Sequence, residues 1–409
     1  MEIETYRRPR RFKRMLSVLA VSTLLTAGCG SGSGGDTPIK IGGTLGLTGS
    51  LAAPASEYQA VYDAWAGEVN AKGGLLGRKV ELVIRNDNST AATAATLYQS
   101  LLTRDRVDLV LAPYATFVGA AVVPIVKSSG KLLFNGGFTD TGLNDAAEGA
   151  MISAYPYQPQ DYTRGVFEAI ASLPPAQRPQ RVGILTNNNP FTLADRDGYN
   201  GQGGARGYAR QAGLPVVFDE TYGTDTTDFS AAINKARAAG ADLFLILGLP
   251  EDSGTVLKTA DTLGFEPKLL CACGSQVLTL PNWSELGPAT ERVLGTTVTW
   301  PTLNYPGLDV LQRLASERNE KVIPAYAAVA YASLQIVQQA VEGAKTLDQD
   351  KLREYIYGHS FETAVGTVKF AANGTADFQQ VVLQSVGGQV RPVWPAAVAE
   401  AALELTPGT

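Results

Sequence analysis

From Ile39 onward, apolar residues come in short unbroken runs, separated by stretches in which they recur every three or four positions. Short runs of this kind predict strands, and the wider spacing predicts one face of a helix. Ile39–Leu45 is the first predicted strand. Val61, Trp65 and Val69 mark the helix after it, which Asn70-Ala71-Lys72-Gly73-Gly74 ends, since glycine accepts a left-handed cap. A strand at Val80–Ile84 leads to a helix opened by Ser89 or Thr90 and burying Leu97 and Leu101. Val107–Leu111, Val118–Val126 and Lys131–Phe134 continue the alternation as strand, helix and strand. Strands interleaved with helices predict a parallel sheet covered on both faces.

The alternation restarts after Tyr155-Pro156, with a helix near Tyr162–Ile170, a strand at Val182–Leu185 and a long helix to about Ala212. Val216–Phe218, the helix carrying Phe229 and Ile233, and the apolar strand Leu243–Leu247 follow. Ser253–Leu263 and Lys268–Ala272 complete the set. Two arrays predict an α/β protein of two doubly wound lobes. The last third holds a strand at Val293–Trp300 and helices at Leu308–Arg318, Ala325–Val341 and Leu347–Tyr357. These helices need a sheet to cover, so they are expected to return to the first lobe. Strands at Val365–Phe370, Val381–Ser385 and Val390–Val393 are separated by Asn373-Gly374 and Gly387-Gly388, both hairpin signals. The expected division is 38–155 with 275–378 in the first lobe, 156–274 with 379–395 in the second, and 396–409 as a tail. A chain that crosses between lobes repeatedly makes a multi-strand hinge.

The first residues do not share this pattern. Arg7, Arg8, Arg10, Arg11, Lys13 and Arg14 precede an apolar stretch from Met15 to Leu25, about half of what a bilayer span requires. Residues 1–28 therefore predict an export signal. Leu25-Thr26-Ala27-Gly28-Cys29 resembles a bacterial lipobox, which implies lipid on Cys29 and anchorage at the membrane surface. The Gly/Ser tract Gly30–Gly35 suits a flexible tether, 29–37. Removing the signal leaves 28 basic against 37 acidic side chains, a net charge of −9. That balance argues against nucleic acid, whose phosphates need clustered Lys and Arg. Cys271 and Cys273, two apart on a predicted strand, are expected as small buried residues, too far apart to bridge comfortably.

The chain lacks a Walker loop, a dinucleotide glycine fingerprint, a nucleophile elbow and zinc spacing, and its one histidine, His359, has no partner motif beside it. No catalytic set, metal or cofactor is expected. In doubly wound sheets, ligands sit where loops leave the carboxyl ends of strands. Ala112-Pro113-Tyr114-Ala115-Thr116-Phe117 opens a helix whose free N–H groups attract an anion, and Thr116 adds a hydroxyl. Asn135-Gly136-Gly137-Phe138-Thr139 lets backbone approach a ligand and adds the Thr139 hydroxyl. The plainer alternative for both is ordinary loop capping. Glu251, after Leu249-Pro250, is either a helix-dipole partner or a cleft-facing acceptor for an ammonium group.

Ile39-Lys40-Ile41-Gly42 with Leu47-Thr48-Gly49-Ser50, and then Glu68-Val69-Asn70-Ala71-Lys72-Gly73-Gly74-Leu75-Leu76-Gly77-Arg78, resemble the opening of type I periplasmic binding proteins. The closest branch looks like the leucine/isoleucine/valine-binding proteins of ABC importers. Thr227-Asp228-Phe229-Ser230, Ala325-Tyr326-Ala327-Ala328 and Gly366-Thr367-Val368-Lys369-Phe370 extend the resemblance over about 37–395. It implies a non-enzymatic lipoprotein that closes two lobes on an amino acid (branched-chain, aromatic or a related small carboxylate) and delivers it to ABC permease subunits, as a monomer. Thr116 and Thr139 would grip the carboxylate with Gly137 between them, and Glu251 would meet the ammonium. Ala115, Phe117 and Phe191 would border the ligand, Phe191-Thr192 standing where the family often has Tyr-Gly. Tyr114, Phe138, Trp300 and Tyr326 are candidates for pocket lining. The same fold could instead serve a ligand-sensing lipoprotein that signals to a membrane partner.

Overall fold

A computed structural model describes residues 37–155, 158–274, 277–280, 282–322, 324–376 and 379–408, with Glu251 described without its side chain. The predicted export signal, Cys29 and all of the predicted tether but Thr37 lie outside the described residues.

The first lobe is laid down in chain order as β1 (Ile39–Leu45), α1 (Ala52–Ala71), β2 (Val80–Asn86), α2 (Ala91–Thr103), β3 (Leu109–Leu111), α3 (Thr116–Ser128), β4 (Leu133–Asn135), α4 (Thr141–Ala147) and β5 (Met151–Ser153). Its five strands are all parallel, in the order β2-β1-β3-β4-β5. The apolar stripe of α1 explains its position. Tyr58, Val61, Trp65 and Val69 are buried in one core with Ile39 and Ile41 of β1. Truncating a buried side chain the size of Trp65 to alanine costs about 3–5 kcal/mol.

The second lobe continues with α5 (Arg164–Ser172), β6 (Val182–Asn187), α6 (Pro190–Asp197), α7 (Ala205–Gln211), β7 (Val216–Tyr222), α8 (Ser230–Ala238), β8 (Leu243–Leu247), α9 (Pro250–Thr262), β9 (Leu269–Cys271) and β10 (Val293–Thr297). The chain then adds α10 (Leu308–Glu317), α11 (Ala325–Ala344), α12 (Gln349–Gly358), the ribbon β11 (Ser360–Thr363) and β12 (Gly366–Lys369), and finally β13 (Val381–Val386) and β14 (Gln389–Trp394). Helices α10 and α11 pack on α1, so they belong to the first lobe. The second sheet runs β14-β13-β10-β9-β8-β6-β7, with β13 and β14 antiparallel.

Several expectations are corrected here. Residues 275–378 do not all belong to the first lobe. β10 pairs in parallel with β9 through Val293 and Leu294 and antiparallel with β13 through Leu294–Thr297, so the chain leaves the second sheet only after Thr297. The long helix to Ala212 is two helices, because Gly198, Gly201, Gly203 and Gly204 all take positive φ between them. Asn373-Gly374 does not join two neighbouring strands; β12 pairs backward with β11, and the turn closes only the Phe370–Ala376 bridge. Residues 396–408 are not a loose end. Glu404 N–H donates to Gln384 Oε1 at 2.8 Å, Gln384 Nε2 returns to Glu404 O, and Thr406 Oγ1 donates to Pro267 O.

The two remaining cysteines are buried, but they are joined in a disulfide across Ala272. Alternate residues of an extended strand stand about 6.7 Å apart. β9 ends at Cys271, and the bend that follows draws the two Cα atoms to 5.2 Å, within the bridging range.

Candidate functional site

Sheet order alone locates a crevice. In the first sheet the chain winds away in both directions from the β1–β3 boundary, and in the second from the β6–β8 boundary. Such switch points are where loops part and a ligand is admitted. The loops after β1 (Ser50, Leu51), β3 (Tyr114, Ala115, Thr116), β6 (Asn189, Pro190) and β8 (Leu249, Pro250) all line one cleft of about 1160 Å³. Thr139 and Asp140, after β4, join them.

The first-lobe wall is set by backbone contact. Ala115 N–H donates to Gly137 O at 3.1 Å, tying the loop after β3 to the loop after β4. Gly137 has no room for a side chain, since a Cβ there would lie 2.0 Å from Pro113 O. Asn135, buried at the end of β4, templates the second loop. Its Oδ1 accepts from the N–H groups of Gly137 (3.0 Å) and Phe138 (3.1 Å), while Nδ2 donates to Phe138 O and Ser153 Oγ. Sequence reasoning missed Asn135; its one signal is a polar residue closing an apolar strand.

Helix α3 begins without a side-chain cap; the Ala115 carbonyl accepts from the N–H groups of Val118 (3.1 Å) and Gly119 (3.0 Å), which leaves those of Thr116 and Phe117 without a capping side chain. Ala115 itself holds φ 76° and ψ 138°, a conformation that strongly favours glycine. Strain of this kind persists where the surroundings over-determine it, and clusters at binding sites. Thr116 Oγ1 donates to Thr139 O at 3.3 Å, which turns both residues toward the same corner. Beneath that corner lie three tyrosines. Tyr58 stacks on Tyr326 with centroids 6.1 Å apart and meets Tyr114 at 5.2 Å, and its hydroxyl donates to Gly136 O at 2.8 Å. Burial raises the hydroxyl pKa of both Tyr58 and Tyr326, so both stay neutral. Behind Tyr326, Arg318 pairs with Glu57 and Glu320; burial, reinforced by Glu320, still holds the Glu57 carboxyl above its ordinary value.

The second-lobe wall is largely apolar. Phe191, held edge-on against Tyr162 at 4.9 Å, lines the cleft with Pro190, Ala194, Leu249, Trp283 and Leu286. Asp252 does not reach into it: Oδ2 accepts from Asn187 Nδ2 (2.6 Å), Tyr222 Oη (3.1 Å) and Leu249 N–H (3.3 Å). Phe117 on one lip and Leu249 on the other remain 53% and 41% exposed, apolar surface facing the crevice from both lobes.

The structure thus brings Tyr114, Ala115, Thr116, Phe117, Thr139, Phe191 and Tyr326 to one cleft. Gly137 supports them from behind. Glu251 lies in the first turn of α9 directly after the cleft-lining Pro250, and its side chain is outside the described residues. Two candidates are corrected. Phe138 is core, filling the space over Gly119, where a Cβ would come within 2.3 Å of its ring. Trp300 lines a separate small void with Pro301, Leu308 and Leu311. His359 stacks on Tyr355 at 3.9 Å and does not line the cleft. Sequence reasoning also missed Tyr199. It lines the cleft from the glycine-rich loop after α6 and spans the lobes, its hydroxyl donating to Asp145 Oδ2 at 3.1 Å. At the other lobe boundary, Lys321 Nζ lies 5.3 Å from the Trp283 ring centroid.

Residues 38–389 match the family described as Periplasmic binding protein. Among curated relatives, a Leu/Ile/Val-binding protein homolog 7 from Brucella abortus is 23% identical over 387 residues, covering 90% of this chain and 94% of its own. Among solved structures, the branched-chain amino acid transporter substrate binding protein LivJ from Streptococcus pneumoniae, in complex with isoleucine, aligns with a TM-score of 0.69 at 22% identity over 90% of this chain and 99% of its own. An ABC transporter solute binding protein from R. palustris, in complex with benzoate, also aligns at 0.69, with 17% identity over 89% of this chain and 98% of its own.

Proposed function

The chain belongs to the periplasmic binding protein family, in its leucine/isoleucine/valine-binding branch, and from that premise we propose that it is the extracytoplasmic substrate-binding lipoprotein of an ABC importer. It captures an amino acid or a related small carboxylate between the lobes and presents it to permease subunits. Lipid on Cys29 anchors it at the membrane surface, and it acts as a monomer.

The observation that carries this reading is the convergence of both switch points on one cleft, with the two bonded loops of the first lobe at its corner. A ligand carboxylate docks against the uncapped start of α3, at the N–H groups following Ala115, with the Thr116 and Thr139 hydroxyls beside it. Gly137 keeps the backbone close enough for that approach. Tyr114, Tyr326, Phe117 and Phe191 border the rest of the ligand, and Glu251 receives an ammonium group from the second lobe. A molecule gripped by both walls favours the closed form, because it gains contacts there that the open form lacks.

Thermal unfolding of the soluble domain against a panel of amino acids and aromatic carboxylates tests the reading. A ligand present at 100 times its Kd adds about 2.7 kcal/mol and raises the midpoint visibly. Calorimetric titration of the hits should give one site per chain. A flat response across the whole panel refutes an amino-acid or carboxylate pocket.

A further inference from the structure

Helix α6 forms part of the cleft wall, yet its inner face carries a buried carboxylate with no counter-charge. Phe191 and Ala194 line the cleft, while Thr192 and Asp195 are fully buried. Thr192 is paired, its Oγ1 donating to Asn187 O at 2.6 Å. Asp195 is not. The hydroxyl and N–H of Thr163 act on it, but no hydrogen bond of good geometry reaches either carboxylate oxygen. The Thr163 hydroxyl is itself buried without a partner, and so are those of Thr186 near the end of β6 and Ser253 in the first turn of α9. Gly274 leaves the carboxylate its space, since a Cβ there would stand 3.0 Å from Asp195 Oδ2.

A carboxylate taken out of water this completely needs a proton or a positive charge beside it. No described basic side chain supplies one. The charged group that acts on Asp195 is another carboxylate, Asp161, whose Oδ1 accepts from Tyr208 Oη at 2.5 Å. We propose that Asp195 anchors a binding site for a monovalent metal cation, with Thr163 supplying a hydroxyl oxygen. The donors decide the class of ion. They are hard oxygens, one carboxylate and one neutral hydroxyl, whereas calcium sites gather several carboxylates. Among the described residues no three His, Cys, Asp or Glu side chains come together. One positive charge matches one unpaired carboxylate. Asp195 stands one turn after Phe191, so an ion there also fixes the aromatic wall of the cleft.

The test uses the ligand-free protein, so its outcome does not depend on what the cleft binds. Unfolding midpoints are measured while lithium, sodium or potassium chloride replaces choline chloride at constant ionic strength. The wild-type midpoint should rise saturably with at least one alkali cation, by about 2 °C at ten times the half-saturating concentration for a chain of this size. Asp195→Asn should lose that response, and in choline it should melt no lower than the wild type. Identical midpoints in all four salts overturn the proposal, as does a cation response retained by Asp195→Asn. A midpoint that rises only as the pH falls, with the salts indistinguishable, puts a proton on Asp195 and overturns it equally. If Asp195→Asn does not fold, Thr163→Val decides. A half-saturating concentration raised threefold or more supports the site, and an unchanged one refutes it.

Discussion

Replacing Gly137 by alanine separates the two first-lobe loops whose contact forms the carboxylate corner. The new Cβ would stand 2.0 Å from Pro113 O, more than 1 Å inside ordinary van der Waals contact of about 3.5 Å. The obstructing atom is backbone, so it cannot rotate aside as a side chain would. The loops must part by about 1 Å, stretching the Ala115 N–H bond to Gly137 O. Overpacking of this kind costs about 1–3 kcal/mol, which for roughly 370 residues lowers the midpoint by about 1–4 °C. The larger effect falls on binding. With the corner opened, the amides after Ala115 and the Thr139 hydroxyl no longer reach one carboxylate together. Loss of one hydrogen bond to a charged group, about 1.5–3 kcal/mol, weakens the ligand roughly 10- to 150-fold. Thermal unfolding without ligand and calorimetric titration with it measure the two effects separately. Gly207→Ala is the control, because a Cβ at that position of α7 meets nothing within 4 Å; it should bind normally and gain up to about 1 kcal/mol from helix propensity. A Gly137→Ala protein that melts and binds like the wild type would show that close loop contact does not build the site.

Four further outcomes follow from the same geometry. Ala115→Gly should add about 1 kcal/mol in urea unfolding by relieving φ 76°, with affinity unchanged; a loss of stability would mean that the strain is not there. Thr116→Val should weaken carboxylate ligands about tenfold with little change in midpoint, and Glu251→Gln should weaken amines far more than simple carboxylic acids, both read by titration; equal losses for the two ligand classes would remove Glu251 from the ammonium role. Arg318→Met leaves Glu57 buried without its main compensating charge. Because the Glu57 pKa is already raised in the folded state, its ionisation costs stability as pH rises, so the variant should lose more midpoint at pH 7.5 than at pH 5; an equal loss at both would exclude this cause.

How far the fold could be read from the sequence depends on the kind of signal each element carries. Helix α1 was legible because Val61, Trp65 and Val69 repeat at helical spacing and the same face is buried. The strand β10 was legible as a strand but not by its sheet. All five residues are buried, and a run of that sort names no partner; its place beside β9 and β13 is fixed by pairing from both neighbours. The site divides in the same way. That Thr116 and Thr139 line the cleft was legible because loops after parallel strands lead to the crevice. Phe138 was misjudged because the space that draws it inward belongs to Gly119, far away in sequence, and nothing in Gly-Gly-Phe-Thr shows it. Tyr199 was missed because a predicted continuous helix ran through a loop that four glycines in fact break.

The same crossings that blurred the lobe boundary explain how the cleft can move as one joint. The chain passes between sheets after Ser153, after Thr297 and again before Val381. These passages are bonded to one another rather than running free. Ser153 N–H donates to Gly374 O at 2.9 Å, and Gln380 links the first and third, its Nε2 donating to Asp161 O and its Oε1 accepting from Gly165 N–H. The second passage is held by buried Thr299, whose Oγ1 donates to Ala364 O at 2.8 Å beside the β11–β12 turn. Two segments braced to each other and a third pinned to the β11–β12 turn resist twisting and sliding more than a single linker does, so on the proposed function the expected soft motion is opening and closing about one axis. On the proposed function, the residues expected to set affinity and those expected to set closure therefore lie apart: the first at strand ends facing the crevice, the second in buried polar pairs along the crossings.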